Sequence, residues 1–545
     1  MTVTPASTPA STPTSTPART RTTGRQDLHA DVTVIGAGFA GLTAAALLAN
    51  EGLKVRVLER DIHPGGCAGA YARKTNVGEF RFAVGATVAA GLEPGGLLDQ
   101  LYSRLKMRPQ FEALDPAMRL HLRGNDGNER KVQLFGTRDR WVSELERAFP
   151  ATSNGEVLRK RAFWKEIQGV SDVMHHAARK FPVMPFKSLN DVLDTARGFH
   201  PQVHRVLLNL YRTVGDLLEK HQINDPAHRA LIDGQLLDSM QCTSSTCALP
   251  NGAYALEIYR YGAQYVPGGL ARIAEDFASA IRNRGGELHY ATRARRVIVE
   301  NGKTVGVETH ARTFRSPVVI STAPLEDTVH LLGDSSPQTL HERAAGLPEI
   351  WGAFTLYVAV RDAALPLDAH RFEQVIDYGQ NGLEENFLVS ISAPWDRSRA
   401  PEGHRAITIS THVHAQDWQN LPPEVYQAKK RELETCITDR LEVLWPGFNA
   451  NVVHLETGTP RTFENFTLHS LGRVGGVPQT PRAANFHAQH HTSGIPGLYL
   501  AGETIFPGQG TIGVAVSGFN AYRSAKRFLN RQPSTIRALK TAARA

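Results

Sequence analysis

Residues 32–41, VTVIGAGFAG, decide the fold when set beside Glu59, which stands 23 positions past Gly36 at the end of a second apolar run, KVRVLE. A strand, a glycine turn, a helix and a second strand ending in an acid make a dinucleotide-binding βαβ unit. Gly36 lets the chain turn tightly at the strand end, Gly38 lets the backbone approach a pyrophosphate, and Gly41 lets the helix lie close on the sheet. The helix expected over Phe39–Asn50, with Phe39 and Ala40 in its first turn, aims its positive N-terminus at the diphosphate. Glu59, at the tip of the second strand, is placed to accept hydrogen bonds from both hydroxyls of an adenosine ribose, which favours FAD or NAD over NADP.

The residues after Glu59 separate those two cofactors. Arg60 and the cluster Pro64-Gly65-Gly66-Cys67-Ala68-Gly69 stand where an NAD domain would normally run on into its next helix, so flavin is the better reading. Far downstream, residues 497–518, GLYLAGETIFPGQGTIGVAVSG, read as a strand, then Gly502-Glu503, a glycine-rich loop and a small-residue helix starting near Thr511. The first turn of that helix, with Ile512 and Gly513, can point free amides at the pyrimidine edge of an isoalloxazine, while Glu503 serves the ribityl or pyrophosphate region. Chain ends that meet on one cofactor imply that everything between them is inserted domain.

These residues carry a resemblance. VIGAGFAGL, the Glu59-Arg60 pair followed by PGG, residues 80–85 (FRFAVG) and the C-terminal GLYLAGETIFPGQGTIGVAVSGF resemble the carotenoid desaturase and isomerase flavoproteins. Residues 506–510 (FPGQG) and 458–462 (GTPRT) are most similar to the carotenoid cis-trans isomerase branch, which also holds hydroxycarotenoid 3,4-desaturases. The similarity runs from about residue 31 to 529, dense at both ends and thin from about 118 to 249. It implies an α/β fold, a Rossmann-like FAD-binding domain of the GR2 type with an inserted α+β substrate domain. It also implies, by likeness alone, that Val297 lies against the adenine through its backbone.

The expected organisation is a tail at 1–26, FAD-binding segments at 27–117, 250–330 and 466–530, a substrate or membrane-docking insertion at 118–249, a substrate-domain sheet at 331–465, and a basic tail at 531–545. At 545 residues the chain suits two domains or one discontinuous domain with a large insertion. Hydrophobic residues at 41% and charged ones at 21% are those of a soluble globular protein. The net charge of +8 suits an anionic surface, or reflects a general basic bias; the basic residues are scattered, which disfavours nucleic acid.

Cys67, Cys242, Cys247 and Cys436 are too few for a disulfide framework and lack zinc-site spacing, so they read as free thiols and no metal is expected. The pairs His175-His176 and His490-His491 lack the i, i+4 placement of ligands and read as solvated histidines. Residues 1–26 repeat Ser, Thr, Pro and Ala without an acid and read as disordered, with an organellar transit peptide as the alternative to a bacterial tail. No run has the ~18 apolar residues of a spanning helix. A C40 polyene would therefore be taken from a bilayer by an enzyme lying on its surface, in a bacterium on the cytoplasmic face. Residues 181–187 (FPVMPFK) and the stretch 203–218, with Val206, Leu207, Leu210, Val214, Leu217 and Leu218 at helical spacing, are the candidate docking faces. The alternative is that they pack inside the insertion.

Between the ends, Gly268-Gly269 precedes a helix over 271–283. Gly285-Gly286 leads into strands at 287–290 and 296–300, and Asn301-Gly302 turns the latter into a strand at 304–309. Residues 318–323, 351–360 and 406–413 read as further strands, the last two walling a long apolar tunnel.

No serine or cysteine elbow and no second nucleotide fingerprint is present, so the flavin carries the chemistry. Desaturation beside a polyene removes a hydride to the flavin and a proton from the adjacent carbon, with cationic character spread along the conjugated chain, so no strong base is demanded. The one candidate side chain is Arg461, to polarise the flavin or a substrate hydroxyl, or else to serve as a structural ion pair. Glu503 in place of the isomerases' aspartate, and Arg81-Phe82-Ala83 in place of their acidic element, favour an FAD-dependent carotenoid desaturase acting at the 3,4-position of a hydroxylated or acyclic end. A cis-trans isomerase using reduced FAD, a polyene saturase and a non-catalytic flavin scaffold are the alternatives. The partners expected are a lipophilic carotenoid, a membrane surface and an electron acceptor, with no nucleic acid.

Overall fold

Val32–Ile35 and Val55–Leu58 are buried at every position, as parallel strands covered on both faces must be. The computed structural model describes residues 27–125, 127–379 and 386–532; the leader at 1–26 and nearly all of the 531–545 tail lie outside them. The two strands sit inside a five-stranded sheet in the order Glu287–His289, Val55–Leu58, Val32–Ile35, Val318–Ser321, Leu498–Leu500, with every pairing parallel. The crossover helix Phe39–Asn50 is buried from Phe39 to Ala49 because the last helix, Gly510–Arg531, lies against it. A Cβ on Gly518 would collide with the Ala40 carbonyl, so the small residue there sets how closely the two helices approach. Segments more than 450 residues apart in sequence thus share one core.

A four-stranded sheet flanks this layer, in the order Leu28–His29, Thr313–Arg315, Lys303–Thr309, Ala294–Glu300. Its hairpin turns at Asn301 and Gly302, whose φ values of 49° and 72° are those of the turn that Asn-Gly favours.

The remaining large sheet has seven strands, in the order Val452–Gly458, Gly352–Arg361, His404–Val413, Phe387–Ile391, Phe372–Asp377, Arg119–Arg123, Glu129–Gln133. Gly352–Arg361 and His404–Val413 pair antiparallel along their full length. The last two strands come from the start of the segment read from sequence as a separate insertion. They join through the parallel pairing of Arg119–Arg123 with Phe372–Asp377, a long-range contact with no local signature. At that seam buried His121 lies with Nε2 2.9 Å from Glu373 Oε2 and Nδ1 3.1 Å from Glu129 Oε1. The helices Asn154–Ala178, Pro226–Met240 and Leu249–Tyr261 share with this end of the sheet a core that includes Trp141, Phe149, Phe163 and Trp164.

Three expectations are corrected. The stretch 203–218 is not one amphipathic helix. It breaks into His204–Leu207 and Val214–Lys220, because Thr213 and Asp216 form a capping box that starts a new helix. Val214, Leu217 and Leu218 are then fully buried while Leu207 and Leu208 are exposed. In 181–187, Phe181 and Val183 are core residues, with Phe181 stacked on Phe519 at 4.0 Å. His490 and His491 are buried rather than solvated: His490 Nδ1 lies 2.7 Å from Thr492 Oγ1, and His491 Nε2 lies 2.7 Å from Ser524 Oγ.

Candidate functional site

The five-stranded sheet ends its first strand in a turn that only glycine makes without collision. Gly36 has φ +95°, and a Cβ there would strike Thr322 Oγ1, whose hydroxyl donates to the Ile35 carbonyl at 2.8 Å. A Cβ on Gly41 would strike the Gly36 carbonyl, so Gly41 lets the helix seat on the turn and does not itself line the site. Gly38 differs from both: a Cβ there meets nothing within 4 Å. It looks onto a cavity of about 1760 Å³, larger than the ~300–1,000 Å³ of a single small-molecule pocket.

The second glycine cluster closes on the first. Gly65 N–H donates to the Ala37 carbonyl at 2.8 Å, and Gly38 and Gly65 form a parallel bridge. The Glu59 carboxylate accepts from Ala37 N–H at 2.6 Å and from Asp61 N–H at 2.8 Å, so it is held at the turn before any ligand arrives. Burial raises its pKa above the ordinary carboxylate value, against the two amides that lower it. A carboxylate has about four acceptor positions, so two are left over. Arg60 lines the cavity beside it, its guanidinium donating to the Asn465 carbonyl at 3.1 Å.

Opposite, Gly502 and Glu503 line the cavity, with Glu503 Oε1 3.5 Å from His469 Nδ1. The final helix begins at Gly510 with no side chain capping its first turn, and Ile512 and Gly513 line the cavity there. The helix at Phe39 is likewise uncapped by a side chain, and Phe39 and Ala40 reach the cavity. Two open helix N-termini leave free N–H donors facing one space, and a cofactor rich in acceptor oxygens fits them. Cys67 lies between; burial, and then the charge of Glu503, push its thiol up to about 12, so it stays protonated.

Besides Gly41, two of the sequence-predicted residues fall elsewhere. Val297 is 1% exposed and packed in the core; the cavity is lined instead by Thr292, Arg293, Ala294 and Arg295, which precede it on the same segment. Arg461 is exposed, its guanidinium 4.7 Å from the centre of the Tyr426 ring, while its neighbours Thr462 and Phe463 line the cavity. One residue of helical rotation turns Arg461 outward.

From this dinucleotide end the cavity continues over the seven-stranded sheet, past Tyr357 and Thr355 to His412, and under the helical layer at Met174, Ala255 and Ile258. It reaches the surface where Phe186, Val192, Phe199, Leu207 and Phe486 both line it and stand exposed. Sequence reasoning missed Asp238, Gln241 and His412 on this wall. They come from a helix end and a distant strand, and nothing in the local pattern of either marks them. Among the described residues, no three His, Cys, Asp or Glu side chains converge as metal ligands, and no helix is long and apolar enough to cross a membrane.

A Rossmann-like sheet whose cradle is completed by the last helix, and which opens into a long apolar chamber, defines a flavin-dependent oxidoreductase. Residues 34–105 match the model for the NAD(P)-binding Rossmann-like domain. The fold is that of an oxidoreductase of known structure from Methanosarcina mazei, with a TM-score of 0.62 at 17% identity, covering 90% of this chain and 99% of that one. The chain is 30% identical to a chloroplastic prolycopene isomerase of Daucus carota, over 90% of this chain and 78% of the relative. It is 29% identical to that of Arabidopsis thaliana, over 92% and 83%. A lycopene-forming phytoene desaturase of Pantoea ananas is 26% identical, over 88% and 96%. The chain belongs to the carotenoid desaturase/isomerase family of flavin-dependent enzymes.

Proposed function

We propose that this chain is an FAD-dependent carotenoid desaturase that works at a membrane surface. FAD rather than another flavin is supported by Glu59, held by two backbone amides with acceptor positions to spare for an adenosine ribose, and by the Gly38 turn open to a diphosphate. Bound there, the cofactor supplies an acceptor for a hydride. The chain's own residues would do the rest: Gly38 and the N-terminal amides of Phe39 and Ala40 would hold the diphosphate, and Gly510–Gly513 would meet the far end. The apolar arm excludes water and aligns the polyene. Removal of two hydrogens would leave a new C=C bond, one hydrogen departing with its electron pair to the bound cofactor and the other as a proton released to solvent. Turnover would need a separate electron acceptor to take up the two electrons.

The observation that carries this reading is the mouth. Phe199 and Leu207 are 66% and 52% exposed yet line the same cavity as the glycine cradle. Leu193 and Leu208, close to them in sequence, are also exposed. Contiguous exposed apolar surface marks an interaction site, and at the entrance of an apolar chamber it suits entry of a lipid-soluble substrate from a bilayer. The basic residues Lys187, Arg197, Arg205 and Arg212 in the same segment suit anionic headgroups.

Cis-trans isomerisation of a polyene in the same chamber is the second reading, favoured by the 29–30% identity to prolycopene isomerases. One experiment separates them: carotenoids extracted from a lycopene- and hydroxylycopene-producing bacterial host, with and without the gene, analysed by mass and absorption. A red-shifted product lighter by two hydrogens means desaturation. Unchanged mass with altered cis-band intensity means isomerisation, and a gain of two hydrogens means saturation. No change in either substrate refutes all three.

A further inference from the structure

The apolar arm is interrupted by a carboxyl and an imidazole that face each other. Asp238 sits on the last turn of the helix Pro226–Met240, and His412 on the strand His404–Val413. Both line the cavity, near Met118 and Leu388, and both side chains keep part of their surface open. Asp238 Oδ2 accepts from Gln374 Nε2 at 2.5 Å, while Oδ1 lies 3.6 Å from His412 Nδ1. That separation is too long for a hydrogen bond. The other imidazole nitrogen, Nε2, lies 2.9 Å from Gln241 Nε2. An amide nitrogen can only donate, so Nε2 accepts and Nδ1 carries the proton, pointing at the gap. Gln241 is itself pinned, its backbone carbonyl accepting from Trp351 Nε1 at 2.9 Å.

An oxygen about 2.8 Å from both Oδ1 and Nδ1 fits a 3.6 Å gap. It must accept from Nδ1–H and donate to the carboxylate, and a hydroxyl does both. A hydrocarbon passing this point leaves both groups unmatched in an apolar wall, which costs binding energy. We propose that Asp238 and His412 form a hydrogen-bonding anchor for a hydroxyl on the end of the polyene, so that the chain selects hydroxylated carotenoids over hydrocarbons of the same length. This rests on the carotenoid reading of the apolar arm and narrows its substrate.

The anchor stands beside the end of the cradle where the last helix begins. Gln509, the residue before that helix, donates to the Ser239 carbonyl at 2.5 Å. Gly475 leaves only enough room for the Gln241 side chain, which a Cβ would meet at 2.7 Å, and a Cβ on Gly476 would meet the Glu503 carbonyl at the same distance. A hydroxyl held at Asp238 would therefore bring the adjoining carbons, rather than the middle of the polyene, to that end of the cradle. The ionisation states agree with this role. Burial raises Asp238 to about 7, so near neutral pH it is divided between acid and the carboxylate that accepts from the hydroxyl, and burial lowers His412 to about 4, so its ring is neutral.

The test is binding by the flavin-loaded holoenzyme, titrated with lycopene and with hydroxylycopene and followed by the polyene absorbance shift. The wild-type chain should bind the hydroxylated polyene at least about tenfold more tightly, the equivalent of one buried hydrogen bond. Asp238→Leu and His412→Phe should each erase that ratio while keeping lycopene binding and the flavin spectrum. If Asp238→Leu does not fold, Asp238→Asn, which keeps the volume, should reduce the ratio. Equal binding of the two polyenes by the wild type overturns the anchor, and so does a preference that survives the substitutions. Turnover in the same samples is read separately: polyenes that bind but change in neither mass nor isomer overturn the proposed reaction and leave the binding ratio to judge the anchor.

Discussion

Replacing Glu59 by alanine should separate cofactor affinity from fold stability, because its carboxylate holds two backbone amides and is proposed to hold the ribose as well. Its oxygens accept from the Ala37 and Asp61 amides, and the remaining acceptor positions face the cavity. Hydrogen bonds to a charged group contribute about 1.5–3 kcal/mol each. Two ribose hydroxyls donating to Glu59 thus amount to roughly 3–6 kcal/mol, and at about 1.4 kcal/mol per decade the FAD dissociation constant should rise about 10²–10⁴-fold. The two orphaned amides lie at the cavity edge where water can reach them, so the protein stripped of cofactor should lose only a few degrees of melting temperature, about 5 °C at most. The assay is quenching of FAD fluorescence on titration of deflavinated protein, paired with thermal melting of the same samples. The carboxyl sets the sign of the pH dependence. Burial raises its pKa in the free protein, and donated hydroxyls favour the ionised form, so wild-type affinity should weaken as pH falls through that raised value. The substituted protein should lose this dependence. Binding of FAD by Glu59→Ala within threefold of wild type would refute the assignment of Glu59 to the ribose.

The two glycines of the same turn should fail differently. Gly38→Val puts its side chain into open cavity and should fold with unchanged melting temperature yet retain no flavin, whereas Gly41→Val strikes the Gly36 carbonyl and should lower soluble yield and melting temperature; matched melting curves for the two would contradict this. Leu207→Glu with Leu208→Glu should cut co-sedimentation with vesicles containing anionic lipid by tenfold or more, leaving FAD binding intact; undiminished sedimentation would move the docking face elsewhere. At the sheet seam, burial alone would lower the His121 pKa, but the carboxylates of Glu129 and Glu373 outweigh it and raise it, while the hydrogen bond from His121 leads in holding Glu129 at about 2. The histidine's contribution is present below its unfolded pKa of about 6.5 and is lost as pH rises through the higher folded value. That of Glu129 is present above about 4.3 and is lost toward pH 2. The melting-temperature gap between wild type and His121→Gln should therefore be larger at pH 5.5 than at pH 9, and a gap that grows with pH would contradict the pairing.

The sequence by itself determined the cofactor end of this protein. Gly36, Gly38 and Gly41, the helix behind them and Glu59 lie within about thirty residues, and their hydrogen bonds and close approaches are short-range, so spacing alone encodes them. The Asn301-Gly302 hairpin was legible for the same reason. Reading failed where a side chain's direction depends on its packing partners. Arg461 turned outward while Thr462 and Phe463 beside it met the cavity. The apparent helix over 203–218 broke at a capping box whose polar residues interrupt the apolar period, which put Leu217 and Leu218 inside and Leu207 and Leu208 outside.

Only the tertiary structure decided how the apolar chamber is built. The seven-stranded sheet that it runs over joins Arg119–Arg123 to Phe372–Asp377, and its polar interruption joins Asp238 to His412, 174 positions away. Neither pairing leaves a trace in local periodicity. Each exists because burying the helical layer against the seven-stranded sheet stabilises the whole domain and carries those side chains to the same wall.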